Sequence, residues 1–258
     1  MNLFSYFDAR DRAQTHETIN HYTTLESLEK IIGNQSLRLT RVDFLNDIVE
    51  NAKMIDLWKN KVYVSCFTHR EYESVFFWDT YAKHSSEGVM ITFKTNYLYN
   101  LTIHPDEKCL APDLDFCSST NRSINFCADV HCDSWGIFDY SCLDVFYIPR
   151  KTNIQKIDHY QGRLKHLEWD LESETRIRVA IRPLGHEYFT KGANTGYFKP
   201  DNEHLYAKLP LVCLETMSIT LSPYADDKLK EKIETLLMSN GLYGKVKVKP
   251  STLFGEVK

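Results

Sequence analysis

Short runs of alternating or β-branched residues recur along the chain, and they constrain its fold more than any other feature. The clearest runs are Lys61–Thr68, Gly88–Phe93 and Ser173–Ile181, and such patterns are typical of strands with at least one buried face. Helical periodicity appears between them only in places, without the regular alternation of strand and helix that marks a parallel α/β protein. The pattern therefore predicts an α+β fold around a mainly antiparallel or mixed split sheet.

Amphipathic helices are predicted beside these strands. The first follows Thr23, which forms a capping-box pattern with Glu26, and it is expected to end at Gly33. His21 and Tyr22 would then lie on a strand that ends where this helix begins. The other predicted elements are helices at Ile48–Trp58, Val75–His84 and Ala225–Asn240, strands at Ser36–Thr40, Tyr147–Lys156, Val212–Leu221 and Val246–Lys249, and a helix or connector at Ile157–Trp169.

Length and composition indicate a single globular domain. The 258 residues are 43% hydrophobic and 26% charged, which are ordinary values for a folded protein, and no linker-like stretch divides them. We therefore predict one domain over residues 1–258, with an N-terminal extension at 1–19 and a loop-rich insertion at 95–145. No apolar run approaches the ~20 residues of a membrane span, and the first residues do not resemble a signal peptide. A cytoplasmic protein without membrane contact is expected.

The cysteines fit a reducing compartment better than a disulfide framework. There are seven, an odd number, in a chain without a secretion signal. Five of them lie between Cys109 and Cys142, but only Cys127 and Cys132 approach the spacing of a zinc-binding pair. We predict packed or exposed thiols and no metal site.

Three segments distant in sequence carry the residues suited to chemistry. The first is His21-Tyr22-Thr23, and the second is the strand Tyr63–Thr68 with the aromatic run that follows it. The third is Glu172-Ser-Glu174-Thr-Arg176, where residues two apart on a strand would share one face. Two neighbouring carboxylates are costly unless a cation or a hydroxyl group lies between them. The alternative interpretation of this third segment is a structural ion-pair stripe that includes Arg176.

The order and spacing of these segments resemble the NAD-dependent ADP-ribosyltransferase fold, in particular the toxins that modify nucleic acids. The chain is more closely similar to a large bacterial family that shares a set of short motifs. In this sequence the motifs are His21-Tyr22-Thr23, Asn46-Asp47…Glu50, Trp78-x-x-Tyr81-Ala82…His84…Gly88 and Trp169…Glu172-x-Glu174-x-Arg176.

The resemblance implies an enzyme that uses NAD as its substrate. Glu174 would stabilise the cation that develops when the nicotinamide–ribose bond breaks, and Glu172 would orient or deprotonate the acceptor. His21 would hold the adenosine ribose. The resemblance assigns NAD binding to His21, Tyr22, Thr23, Asn46, Phe67, Trp78 and Tyr81.

The resemblance also implies a toxin or phage-defence effector, with a nucleic-acid acceptor and an antitoxin protein as partners. Ser65-Cys66-Phe67-Thr68 does not match the Ser-Thr-Ser triplet of the enzymes that modify arginine, so a protein-arginine acceptor is less favoured. The basic residues expected to contact phosphate groups are Arg150, Lys151, Lys156, Arg163, Lys165, Arg176, Arg178 and Arg182.

Other interpretations stay open at this level. The enzyme alternative is an NAD glycohydrolase, in which water replaces the acceptor, and the non-enzymatic one is a nucleotide- or partner-binding module with a degenerate site. Trp78 and Tyr81 are equally well explained as core aromatics, since aromatics at helical spacing usually pack. His21 is also consistent with an ordinary strand histidine, and Asn46-Asp47 with a plain turn.

Overall fold

The structure of the protein is a computed structural model. It describes residues 16–45, 61–99, 101–104, 135–149, 162–183 and 203–257. The chain divides into two compact units. The first unit contains residues 1–15, 37–66 and 100–208, and the second contains 16–36, 67–99 and 209–258.

The described residues form strands, α-helices and short 3₁₀ helices. The strands are β1 Thr18–Thr24, β2 Ser36–Arg41, β3 Val62–Thr68, β4 Gly88–Lys94, β5 Thr102–His104, β6 Trp135–Asp144, β7 Phe146–Ile148, β8 Leu164–His166, β9 Glu174–Pro183, β10 His204–Lys208, β11 Ser218–Leu221 and β12 Lys247–Lys249. The helices are α1 Leu25–Asn34, α2 Val75–Thr80, α3 Leu211–Thr216 and α4 Asp227–Ser239, with 3₁₀ turns at Val42–Phe44, Thr95–Tyr97 and Leu167–Glu172.

The second unit is built on the strand order β12-β11-β4-β1. The pairs β1/β4 and β4/β11 are antiparallel, whereas β11 and β12 are parallel. The helices α1 and α4 each bury one apolar stripe, as expected for amphipathic helices that cover a sheet. The buried residues of the two stripes are Leu25, Leu28, Ile31, Ile32, Leu229, Ile233 and Leu237.

Helix α1 differs from its prediction at both ends. Its N-cap is Thr24, whose side chain makes no capping hydrogen bond, because β1 stays paired with β4 as far as Thr24 opposite Gly88. The backbone carbonyl of Glu87 accepts the N–H of Leu25 at 2.8 Å and so replaces the predicted capping box. At the other end the helix passes Gly33 and is closed by Gln35, which adopts a left-handed conformation with φ 49°.

The first unit has the strand order β6-β9-β3-β2-β10-β5, with β7 and β8 as a separate parallel pair. The long antiparallel pair β6/β9 runs in register from Trp135 opposite Pro183 to Asp144 opposite Thr175, with one irregularity. A buried apolar cluster supports this sheet and consists of Val42, Val62, Val64 and Ala180.

The α+β class with mainly antiparallel and mixed pairing is confirmed, and so are most of the strands. The predicted strand Val212–Leu221 is wrong in its first half, because Leu211–Thr216 forms α3 and only Ser218–Leu221 is extended. The predicted helix Val75–His84 ends at Thr80. Lys83 and His84 have φ values of 59° and 48°, which are incompatible with a right-handed helix.

Two further predictions of local structure need correction. Part of Ile157–Trp169 is extended, because Leu164–His166 forms β8. The insertion 95–145, expected to be rich in loops, contributes β5 and the ten-residue strand β6. The predicted helix Ile48–Trp58, the Asn46-Asp47 turn and most of the cysteine cluster lie outside the described residues, and the single-domain boundaries stay a prediction. No helix in the described ranges has the length and apolar character needed to cross a membrane.

Candidate functional site

Two carboxylates of the first unit converge on one lysine. The Nζ atom of Lys165 lies 2.5 Å from Oε2 of Glu172 and 2.9 Å from Oε2 of Glu174. All three side chains are buried, so these charges interact in an environment where water screens them poorly. The sequence predicted that Glu172 and Glu174 lie close together and need a cation or hydroxyl group between them, but it did not identify Lys165 as that cation.

The way in which the two carboxylates meet differs from the prediction. Glu172 does not lie on the strand, because it is the last residue of the 3₁₀ helix Leu167–Glu172. Ser173 follows in a left-handed conformation with φ 43° and ψ 53°, and β9 begins only at Glu174. A turn at Ser173, and not the alternation of a strand, therefore brings the two side chains together.

Arg176 holds Glu174 from the other side. Its Nε and Nη2 atoms donate to the two carboxylate oxygens at 2.7 and 3.2 Å, a bidentate geometry that restricts both side chains. Its Nη1 atom donates to the carbonyl oxygen of Gly162 at 2.7 Å. Gly162 has φ +78°, and a Cβ atom there would lie 2.7 Å from Val62, so only glycine fits beside this carbonyl.

The cations determine the charge of Glu174. Burial raises the pKa of this carboxyl group, but Arg176 and Lys165 outweigh burial and lower the pKa to about 2. Burial also opposes the charge of Lys165, yet the two neighbouring glutamates raise the pKa of its ammonium group above the usual value. Glu174 is therefore an anion throughout the neutral range, despite a side chain that is only 4% exposed.

Two further groups contact Glu174, and the sequence analysis did not single them out for this role. The hydroxyl oxygen of Tyr147 accepts the backbone N–H of Glu174 at 2.8 Å, which fixes the start of β9. The thiol of Cys66 hydrogen-bonds to the Glu174 carboxylate, and burial together with this negative charge raises the thiol pKa. Cys66 is therefore protonated at neutral pH and unsuited to act as a nucleophile. No sequence signal links Tyr147, Cys66 and Lys165 to Glu174, because they come from three separate strands.

Apolar side chains are exposed next to the carboxylates. Leu167, Trp169 and Leu171 all lie on the 3₁₀ helix that ends at Glu172, and each is exposed. The indole ring of Trp169 lies 5.3 Å from Nζ of Lys165, which is within the range of a cation–π interaction.

The predicted NAD-binding residues belong mainly to the second unit. His21 lies in the middle of β1 and not at its end, since β1 continues to Thr24. It is half-buried, and its ring centroid is 5.3 Å from that of Phe67. Tyr22 and Thr23 are buried, and the hydroxyl group of Tyr22 accepts the backbone N–H of Ser74.

Trp78 and Tyr81, both assigned to NAD binding by the resemblance, differ in their exposure to solvent. Trp78 is 0% exposed, its ring packs edge-on against Tyr22 at 4.8 Å, and its indole N–H donates to Glu73 at 3.1 Å. Tyr81 lies beyond the end of α2 and is 39% exposed. The exposed aromatic neighbour of Tyr81 is Phe76, 6.4 Å away between ring centroids.

Four of the eight basic residues expected to contact phosphate groups are interior. Arg163, Lys165, Arg176 and Arg178 are all buried. Arg163 donates to the carbonyl oxygen of Asp144, and Arg178 pairs with Asp139. These four residues are therefore not an exposed patch. Arg150, Lys151 and Lys156 lie outside the described residues, and for Arg182 the structure describes only the backbone.

If His21 holds the adenosine ribose, a His21→Ala variant is expected to weaken NAD binding by about 1–3 kcal/mol. The ribose hydroxyl group would then be buried without its hydrogen-bond partner. Most of the loss should appear as a raised KM, since the contact is remote from the bond that breaks. His21→Phe is the matched control, because it keeps the packing against Phe67 without the ring nitrogens. NAD affinity and the melting temperature would be measured on the same samples. Unchanged affinity in both variants would remove His21 from the site.

Comparison with known proteins finds no matching family model and no matching curated protein. Among solved structures, the chain is similar to the DarT of Thermus sp. 2.9 in complex with NAD+, with a TM-score of 0.36 and 9% identity. It is similar to the same protein in complex with carba-NAD+, with a TM-score of 0.37 and 9% identity. Each alignment covers 93% of this chain and 98% of that chain. A likeness of this degree assigns no activity.

Proposed function

We propose that the protein is an NAD-dependent ADP-ribosyltransferase, with NAD as substrate and a nucleic acid as acceptor, which acts as a toxin or phage-defence effector. One observation carries the proposal. Glu174, in the position of the catalytic glutamate in the motif Glu172-x-Glu174-x-Arg176, is held as an anion with a second carboxylate beside it.

This arrangement suits the cleavage of a glycosidic bond to nicotinamide. As that bond breaks, its electron pair leaves with nicotinamide and positive charge develops on the ribose. A fixed anion next to the ribose lowers the energy of this state, because it is oriented before the reaction begins. Glu174 supplies the anion. Glu172 accepts the proton that the acceptor loses when it bonds to the ribose carbon.

The sequence motifs supply the residues that we propose for NAD binding. His21 of β1 binds the adenosine ribose, Thr23 supports it from a buried position on the same strand, and Asn46 contributes from outside the described residues. Tyr81 contacts the nicotinamide ring, whereas Phe67 is buried and supports the site through its packing against the ring of His21. Tyr22 and Trp78 act indirectly, since both are buried and pack against each other, and they therefore support α2 instead of touching NAD.

A second candidate function is an NAD glycohydrolase, in which water is the acceptor. The observation that favours it is the burial of Arg163, Lys165, Arg176 and Arg178. A nucleic-acid acceptor needs cations that reach its phosphates, and these four residues are engaged in the interior. Water needs no such surface.

The two candidates are separated by supplying the acceptor. Purified protein would be incubated with NAD alone and with NAD plus RNA, DNA or protein, while nicotinamide release and label transfer are both measured. Transfer to nucleic acid supports the first candidate, and acceptor-independent release of nicotinamide supports the second. If the protein bound NAD but did not cleave it, both enzymatic candidates would be excluded, and the protein would be a non-enzymatic nucleotide-binding module.

Glu172→Gln is expected to reduce transfer much more than the slow hydrolysis of NAD, because the variant loses the base but keeps Glu174. Both rates would be measured on one preparation. Glu168→Gln is the control, since Glu168 lies on the same 3₁₀ helix and half of its side chain is exposed. Equal losses of transfer and hydrolysis would show that Glu172 supports Glu174 and does not activate the acceptor.

A further inference from the structure

The hydrogen-bonding capacity of Glu174 is already filled by protein groups. An ionised carboxylate offers about four lone-pair positions. Two are used by Nε and Nη2 of Arg176, a third faces Nζ of Lys165 at 2.9 Å, and the thiol of Cys66 takes another. A hydroxyl group of a substrate can therefore bond to Glu174 only if one of these donors leaves.

Arg176 is not suited to leave. It is 1% exposed, it lies on the same strand as Glu174, and Nη1 is bound to the carbonyl oxygen of Gly162. Its withdrawal would break three hydrogen bonds and leave a guanidinium group buried without a partner, which is strongly unfavourable. The Cys66 thiol is a weak donor, and its departure alone would leave both cations on the carboxylate.

Lys165 differs from Arg176 because it has other partners within reach. Its Nζ atom is bound to Glu172 at 2.5 Å and lies 5.3 Å from the ring of Trp169. Trp169 is exposed to solvent. A lysine side chain is a flexible four-carbon chain that ends in one compact charge. It can therefore release one carboxylate and keep another. Its charge stays compensated throughout such a movement.

We infer that Lys165 is an exchangeable counter-ion: it masks Glu174 in the free protein and withdraws onto Glu172 when a ribose hydroxyl group of the substrate binds. This inference rests on the proposed function and adds to it a step that precedes the chemistry. Lys165 is in this sense a positioning residue, and it takes no part in bond cleavage.

Removal of the mask should strengthen substrate binding. Lys165→Met alone would leave Glu172 buried without its cation, so the informative variant is the double substitution Lys165→Met with Glu172→Gln, which removes one charge of each sign. Carba-NAD+ is the probe, since it keeps the ribose hydroxyl groups and is not cleaved. We expect roughly tenfold tighter binding to the double variant, the order of a charge-assisted hydrogen bond that no longer has to be broken. The control is Glu172→Gln alone, whose amide oxygen can still accept the lysine when it leaves Glu174, so this variant should bind carba-NAD+ about as tightly as the wild type.

A second measurement follows the lysine directly. The side-chain ammonium signal of Lys165, assigned by its loss in Lys165→Arg, should shift in the NMR spectrum when carba-NAD+ saturates the wild-type protein. An unshifted signal, or equal or weaker binding to the double variant, would overturn the inference while the proposed function stands. A wild-type protein that does not bind carba-NAD+ would overturn both.

Discussion

Glu174→Gln is expected to lower the rate of NAD cleavage by about 10²–10³-fold, because the transition state loses roughly 3–4 kcal/mol of electrostatic stabilisation. The same substitution should lower the free energy of unfolding by about 3–5 kcal/mol, since it leaves Arg176 and Lys165 buried with a single remaining carboxylate. Nicotinamide release and denaturant unfolding would be measured on one preparation, below the melting temperature of the variant.

The two effects can be separated with a second substitution. Glu174→Asp keeps the negative charge and therefore much of the stability, but it withdraws the carboxylate by one methylene group from the reacting centre. Its activity should fall while its fold is better preserved than that of the glutamine variant. Asp170→Asn, an exposed carboxylate on the adjacent 3₁₀ helix, is the control for surface charge. A Glu174→Gln protein that is folded and nearly as active as the wild type would refute the catalytic assignment.

Trp78→Ala is expected to lower the free energy of unfolding by about 3–5 kcal/mol, the usual range for removing a large aromatic side chain from a core. The indole ring is completely buried among Tyr22, Phe77, Ala82 and Met90. The variant also leaves the carboxylate of Glu73 without one of its donors. Denaturant unfolding and NAD affinity in the folded fraction are the measurements.

Tyr81→Ala is the matched comparison for Trp78→Ala. Tyr81 is exposed, so its removal should change stability little, whereas a contact with nicotinamide would appear as a raised KM. If Trp78→Ala instead left stability unchanged and abolished NAD binding, Trp78 would have to be assigned to the NAD site and not to the core.

The parts of the fold that the sequence predicts well are those determined by local periodicity. Helix α4 is marked by apolar residues at helical spacing, and β9 by β-branched alternation, and both lie within a few residues of their predicted positions. Val212–Leu221 was misassigned because its apolar residues fit a strand as well as a short helix. Only tertiary structure decides between the two for so short a run.

The proximity of two carboxylates was predictable from the sequence, but the geometry that brings them together was not. The pattern Glu172-x-Glu174 correctly indicated neighbouring carboxylates, yet the left-handed turn at Ser173 has no sequence signal, since Ser173 is not a glycine. Lys165 was interpreted as a surface cation because the sequence does not show what is buried. Its partners Glu172 and Glu174 are near in sequence, but the turn at Ser173 and the burial that bring the three side chains together cannot be inferred from local propensity.

Gly162 shows how a position without a side chain can control a site without entering it. Its φ of +78° and its approach to Val62 exclude any larger residue, while its carbonyl oxygen receives the guanidinium group of Arg176. In a genetic screen for loss of function, substitutions here would therefore be recovered together with those of the charged cluster. Such a screen would report a position with no chemistry of its own, and chemical labelling or inhibitor contacts would never reveal it.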